Sequence, residues 1–283
     1  MRRLIRSALF VPASKPRAVD KAAHVGADLL ILDLEDSVGP EEKAEARACV
    51  DTAMDIWSAS GAIRSVRING LDTPWGAADL RIAAQTADAV IIPKVEQVGD
   101  LHEVRSALST HGSSIPIWAM IETPLGLMNL PGISGATGTG LAGLIAGTND
   151  LAKELRCSPD HERIALVPHL AQIVCAARAR GLYALDSVYN HFRDPKGFRA
   201  EAEQGRVLGF DGKTLIHPGQ VDLAHLYYGP TPAELERAAR IVAAFADPQN
   251  AGKGVISLDG DMVERLHLEA ARALLSAAGD NDI

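Results

Sequence analysis

The run ADLLILDLED at residues 27–36 decides the fold class. From Leu29 to Leu32 it is unbroken aliphatic, with no polar residue at alternate positions for water to meet. A strand of that kind is covered on both faces, as in parallel sheets flanked by helices, whereas half-exposed antiparallel strands alternate. The run then ends in acids, so Asp33, Glu35 and Asp36 meet solvent or a cation where the covered strand stops. Period-2 alternation groups Asp33 with Glu35, and Asp36 opens the loop.

The same rhythm extends in both directions. SALFVP (7–12) is the strand before it, followed by a helix over 16–26 that Pro16 opens and Gly26 closes. Pro40, Glu41 and Glu42 form the first turn of a helix over 40–59, where acids suit the helix dipole. Further strands are expected at 63–69, 88–93, 114–122, 141–147, 183–189 and 212–218, with helices near 75–86, 97–109, 160–181 and 194–209. Pro168 inside 160–181 predicts a kink or two shorter helices. Eight strand–helix alternations within residues 1–228 predict an α/β fold, a TIM (β/α)8 barrel. An open doubly wound sheet would carry a phosphate-binding glycine fingerprint just after an early strand. Here the first strand runs into VPASKP, and the glycine-rich 132–143 precedes its strand. Residues 229–283 are expected to be a short C-terminal helical appendage packing on the barrel or a neighbouring subunit. Its helices span 231–249 and 261–278, joined by a hairpin-like or extended link at 251–260.

Composition limits the partners. The chain carries 28 Lys and Arg against 36 Asp and Glu, a formal charge of −8, and no long basic run, which argues against a nucleic-acid groove. No uncharged apolar stretch is long enough to span a bilayer. The apolar run after Arg2, Arg3 and Arg6 is broken by Pro12, too early for a signal peptide. Cys49, Cys157 and Cys175 are odd in number and lack CxxC spacing, which fits a reducing compartment. A soluble cytoplasmic protein is expected.

In a barrel the active site lies at the C-terminal ends of the strands. Polar residues gather there: Asp33, Glu35 and Asp36; Arg67 and Asn69; Lys94; Glu122; Thr148, Asn149 and Asp150; Asp186; His217. Glu122 and Asp150 end consecutive strands, and two carboxylates without His or Cys suit a hard divalent cation such as Mg²⁺. Loop caps, or partners for surface Arg, are the alternative. In AIRSVRIN, Ile63, Ser65, Arg67 and Asn69 share one face, so Arg67 points to the barrel interior and needs a carboxylate. That carboxylate is the substrate's, or belongs to Glu35 or Asp36. His217 reads either as a catalytic group or as a hydrogen-bonded core histidine. No Ser-His-Asp elbow, HExxH or Walker motif is present.

SALFVPASKP, GADLLILDLEDSV with Lys43 and Ala46-Arg47, VRIN, DAVIIPK, IET, LGFDGKTLIHPGQV and the terminal DGDMVE together resemble a known family. It is the citrate lyase β-subunit-like branch of the HpcH/HpaI aldolase superfamily, which includes malyl-CoA and citramalyl-CoA lyases. The resemblance implies a Mg²⁺-dependent TIM barrel acting on acyl-CoA thioesters as a homotrimer or hexamer. It assigns Glu122 and Asp150 to the metal and Arg67 to the substrate carboxylate or carbonyl, with Glu35 and Asp36 in support. CoA is expected near Ser14, Lys15, Arg17 and Lys94. The implied reaction is reversible cleavage of a 3-hydroxyacyl-CoA, such as malyl-CoA or citramalyl-CoA, to an acyl-CoA and a 2-oxo acid. Alternatives are a thioesterase, a citrate lyase β subunit acting on a carrier-bound citryl thioester with companion subunits, and a catalytically weak CoA-ester-binding protein.

Three positions depart from that pattern. Long lyases of the family carry their catalytic base as an Asp in an MxD element that a neighbouring subunit supplies; here the element reads Met262-Val263-Glu264. The Pro usual two residues later is Leu266, and Asn149 in GTND stands where an acid is usual.

Overall fold

The computed structural model describes residues 3–158 and 162–279. Eight parallel strands close into a barrel in sequence order: β1 (Ser7–Pro12), β2 (Leu29–Asp33), β3 (Ile63–Arg67), β4 (Ala89–Ile92), β5 (Ile117–Ile121), β6 (Leu141–Ala146), β7 (Tyr183–Asp186) and β8 (Gly212–Leu215). Closure is made by β1 pairing with β8, Ala8 opposite Thr214. Around them run α1 (Pro16–Ala22), α2 (Lys43–Ala48), α3 (Val50–Ile56), α4 (Gly76–Thr86), α5 (Val98–Thr110), α6 (Pro124–Met128) and α7 (Leu130–Ser134). The later helices are α8 (Thr148–Leu155), α9 (Val167–Arg178), α10 (Pro195–Leu208) and α11 (Val221–Tyr228).

The double covering of β2 is visible in its packing. Leu29 and Ile31 join an inner cluster with Ala8, Ile91, Trp118, Met120 and Leu185, so the barrel centre is filled. Leu30 and Leu32 join the outer layer with helix residues such as Leu101, Leu108, Leu170 and Ile173. One strand thus contributes to two cores, which is why it shows no polar alternation. Inside, Trp118 stacks on Tyr183 with ring centroids 5.4 Å apart.

Several elements differ from the sequence expectation. The stretch 40–59 is divided into a turn of 3₁₀ helix at Pro40–Glu42, α2, α3 and a second 3₁₀ turn at Trp57–Ala59. The kink expected at Pro168 does not arise, because α9 begins at Val167 and Pro168 sits in its first turn, where a missing N–H costs nothing. Residues 160 and 161 of the expected helix lie outside the described residues. The strands stop earlier than their apolar patterns suggest, so Asn69 and Glu122 stand in loops just past β3 and β5.

The chain divides into two compact units, Ile5–Tyr228 and a smaller one made of the residues from Gly229 onward together with those before Ile5. In the smaller unit α12 (Pro232–Ala246) and α13 (Arg265–Ala278) flank a hairpin of β9 (Val255–Leu258) and β10 (Asp261–Glu264). Asp259 and Gly260, with φ of 56° and 88°, make its two-residue turn, the Asp-Gly signal for such hairpins. The helix expected from 261 therefore starts at Arg265, because residues 261–264 pair as a strand. Ala238, Ile241, Ile256, Val263, Leu268 and Leu275 form this unit's own core. Among the described residues no helix is long and apolar enough to cross a membrane.

Candidate active site

Asp33 and Arg67 are the last residues of adjacent strands and stand directly opposite each other in the β2–β3 register. Their side chains meet as a bidentate pair, Arg67 Nε donating to Asp33 Oδ1 at 2.6 Å and Nη2 to Oδ2 at 2.7 Å. The remaining nitrogen, Nη1, lies 3.0 Å from Glu35 Oε2 and 3.6 Å from Asp36 Oδ2. Phe10 lies against the guanidinium, its ring centroid 4.6 Å from Arg67 Cζ. Burial disfavours the charge of Arg67, yet the acids around it outweigh burial and hold its pKa above the ordinary value. Burial likewise opposes ionisation of Asp33, and Arg67 overcomes it, keeping the carboxyl below the usual range. The intramolecular partner is thus chiefly Asp33, with Glu35 and Asp36 around the third nitrogen.

The acid loop is itself pinned. Asp33 accepts from the backbone N–H of Glu35 at 3.0 Å and of Ser37 at 3.1 Å. Lys43, on the first turn of α2, donates to the carbonyls of Leu34 and Glu35 at 2.8 and 2.7 Å. Asn69 donates to Leu34 O and to Asp79, which also pairs with Arg47. Lys43 and Asp79 reach this loop only through the fold.

Glu122 follows β5 and is 3% exposed. Its Oε1 accepts from the Lys94 backbone N–H at 2.8 Å. Burial pushes its pKa up to about 7 despite the positive charges of Lys94 and Arg67. On the other side stands Gly147, where a Cβ would run into the Glu122 carboxylate. Asp150 lies in the first turn of α8. Asn149, at the position where an acid was expected, pairs with Asn190, whose Nδ2 donates to Asn149 Oδ1 at 2.8 Å.

Arg67, Glu122 and Asp150 line one cavity of about 370 Å³ at the C-terminal ends of the strands, together with Met120, Ser187 and Thr214. The sequence reading did not single out Ser187 or Thr214, whose types carry no signal without the fold. Lys94, expected near CoA, also reaches the strand-end acids. Its Nζ lies 2.8 Å from Glu35 Oε1 and 3.0 Å from Asp150 Oδ2, held among acids. Ser14 has a buried hydroxyl without a partner, and Lys15 and Arg17 are exposed at the start of α1; none of the three lines the cavity. Glu264 is the N-cap of α13 in the smaller unit, its backbone N–H donating to His267 Nδ1 at 2.9 Å.

Two candidates take structural positions. His217 caps a 3₁₀ turn, its Nδ1 accepting from Gly219 N at 3.0 Å, and stacks on Phe192. Asp186 points outward from β7 into the helix layer, where it meets Arg163 at 2.8 Å and Lys213 at 3.2 Å. It is outward because Tyr183 and Leu185 take the inward positions of that short strand.

The donor set suits a hard cation in kind: buried Glu122, Asp150, and no His or Cys lining the cavity. Among the described residues no group of three such side chains is close enough to enclose an ion. Two protein carboxylates with water or substrate oxygens completing the shell is the mode in which Mg²⁺ is commonly bound. The residues therefore fit the ion.

Residues 6–218 match the model of the HpcH/HpaI aldolase/citrate lyase family, and residues 160–279 that of a C–C bond lyase of the TIM-barrel fold. A (3S)-malyl-CoA thioesterase of Cereibacter sphaeroides is 46% identical over 274 residues, covering 96% of this chain and 94% of that protein. The citrate lyase subunit beta of Escherichia coli is 36% identical over 281 residues, covering 96% and 93%. Among solved structures, CitE from Mycobacterium tuberculosis in complex with magnesium, acetoacetate and coenzyme A superposes with a TM-score of 0.76 at 29% identity, over 96% of this chain and 97% of that one. The barrel, its strand-end acids and these matches along the chain lead to one conclusion: the chain belongs to the HpcH/HpaI aldolase/citrate lyase family.

Proposed function

We propose that the protein is a Mg²⁺-dependent carbon–carbon lyase. Its substrate is the CoA thioester of a short 3-hydroxy acid, malyl-CoA or citramalyl-CoA, and its products are an acyl-CoA and a 2-oxo acid. The observation that carries this reading is the fixed guanidinium of Arg67 lining the same cavity as Glu122 and Asp150. The family supports it, as does the binding of magnesium, a small oxo acid and coenzyme A by the M. tuberculosis relative.

Glu122 and Asp150 would hold the Mg²⁺, which supplies Lewis acidity toward the oxygen that becomes the 2-oxo carbonyl. Arg67 binds the acid's carboxylate and the developing oxyanion through Nη1, while Asp33 holds the other two donors in place. That orientation exists before substrate arrives, so little reorganisation is needed during reaction. In the cleavage direction the hydroxyl proton passes to Glu264 of a neighbouring subunit and the hydroxyl oxygen becomes the carbonyl. The electrons of the breaking C–C bond pass to the thioester as an enolate, which takes up a proton to give the acyl-CoA. Lys15 and Arg17, exposed where β1 runs into α1, supply positive charge for the CoA phosphates.

A second reading, hydrolysis of the thioester, is favoured by the 46% identical malyl-CoA thioesterase. Product analysis separates the two. With Mg²⁺ and malyl-CoA, the lyase releases glyoxylate and acetyl-CoA in equal amounts and no free thiol. Hydrolysis releases malate and the CoA thiol without glyoxylate. Arg67→Ala is expected to lower the rate by about a hundred- to a thousandfold. No product from malyl-CoA or citramalyl-CoA overturns the substrate class.

A further inference from the structure

Lys94 touches both carboxylates assigned to the metal, through two different parts of itself. Its backbone N–H donates to Glu122 Oε1 at 2.8 Å, and its Nζ sits 3.0 Å from Asp150 Oδ2 and 2.8 Å from Glu35 Oε1. The backbone is left-handed there, φ 49°, an unusual conformation for a residue with a side chain. Strain of this kind persists only where the surroundings hold it. Here it presents the N–H to one acid and the ammonium to another.

The charges around this point explain what the ammonium does. Arg67 is committed to Asp33 and approaches Glu35 and Asp36 with its third nitrogen. Among the described residues, the cation in contact with Asp150 is Lys94. A Mg²⁺ ion sits about 2.0–2.1 Å from its ligand oxygens, and an ammonium near the same carboxylate would repel it. The Lys94 side chain is 41% exposed, on a flexible four-carbon stem, so it has room to withdraw. Its hydrogen bond to Glu35 gives it an anchor away from Asp150.

We infer that Lys94 is a resident counter-cation of the metal site: its ammonium neutralises Asp150 when no divalent ion is bound and yields that carboxylate to the ion. This rests on the assignment of Glu122 and Asp150 to Mg²⁺. The ammonium competes with the ion, whereas the backbone N–H orients Glu122 in either state. The two roles separate on substitution, because Lys94→Met deletes the first and keeps the second.

The test is Mn²⁺ binding to metal-stripped full-length protein, followed by electron paramagnetic resonance, with thermal melts in parallel. Lys94→Met is expected to bind Mn²⁺ about tenfold more tightly than the wild type, and to melt lower without metal but gain more from adding it. Lys94→Arg keeps the charge and the wild-type affinity. Should Lys94→Met fail to fold, Lys94→Gln carries the same comparison. Unchanged or weaker Mn²⁺ affinity in the neutral variant overturns the inference. If instead the wild type binds no Mn²⁺, or Glu122→Gln binds it as well as the wild type, the carboxylate assignment fails and the inference with it.

Discussion

Arg67 is the residue on which sequence and structure inform each other most. Period-2 alternation along AIRSVRIN sent its side chain inward, and the structure buries it there at 7% exposure. Its partner was not legible, because Asp33 becomes its neighbour only through the β2–β3 register. Asp33 is spent on holding the guanidinium and the turn at Glu35 and Ser37, which leaves Nη1 for other acids. Asp33→Asn keeps the shape but loses the charge and one acceptor of the fork. Turnover is expected to fall by about a hundredfold, the scale of a small misplacement at a reacting centre. Steady-state kinetics at saturating substrate, with circular dichroism to verify the fold, measures this. An unchanged kcat would mean that Arg67 needs no such positioning. Gly147 is a similar case: its place in GTND's approach is readable, but the Glu122 carboxylate that excludes a Cβ is not.

At the scale of elements, strand existence was readable and strand ends were not. Doubly covered strands announce themselves as aliphatic runs, but where pairing stops depends on which side chains the loops recruit. Thr123 illustrates this, ending the passage from β5 by accepting from Gly126 N at 3.1 Å and starting α6 immediately after Glu122. Asp186 shows the other limit: a strand-end acid can face the helices instead of the mouth. There it lies in a buried network with Arg163, Lys213 and Tyr228, and Lys213 also meets Glu201 at 2.6 Å. The same carboxylate accepts from the backbone N–H of Ser187, which lines the cavity. Lys213→Met would leave Asp186 and Glu201 to share Arg163, which lies 2.8 Å from the first and 3.5 Å from the second, and breaking such a buried pair costs about 3 kcal/mol. Chemical denaturation is expected to show a loss of that order, with the metal-binding constant little changed. A loss below about 1 kcal/mol would mean that Arg163 alone suffices for both acids.

For the whole molecule, the proposed reaction turns on Glu264 as its base. It stands at the N-terminus of α13 in the smaller unit, whereas Arg67, Glu122 and Asp150 belong to the larger one. On the proposed supply of the base by a neighbouring subunit, Arg67→Ala and Glu264→Gln chains are each expected to be inactive alone. Co-expressed mixed oligomers are expected to recover activity, since some sites then combine an intact barrel with an intact Glu264. Recovery is read by the product assay on the purified mixture, and its absence would mean that each chain completes its own site or that Glu264 is only a helix cap.

The sequence by itself determined the barrel, the aliphatic double core and the acids at the strand ends, because burial on two faces and period-2 alternation are local patterns that survive in one dimension. Tertiary structure alone decided which acid holds which cation: Asp33 on Arg67, Lys94 between Glu35 and Asp150, and Asp186 turned away toward Lys213. Charged groups attract over several ångströms without a preferred direction, so their pairing follows distances that only strand register and loop paths create.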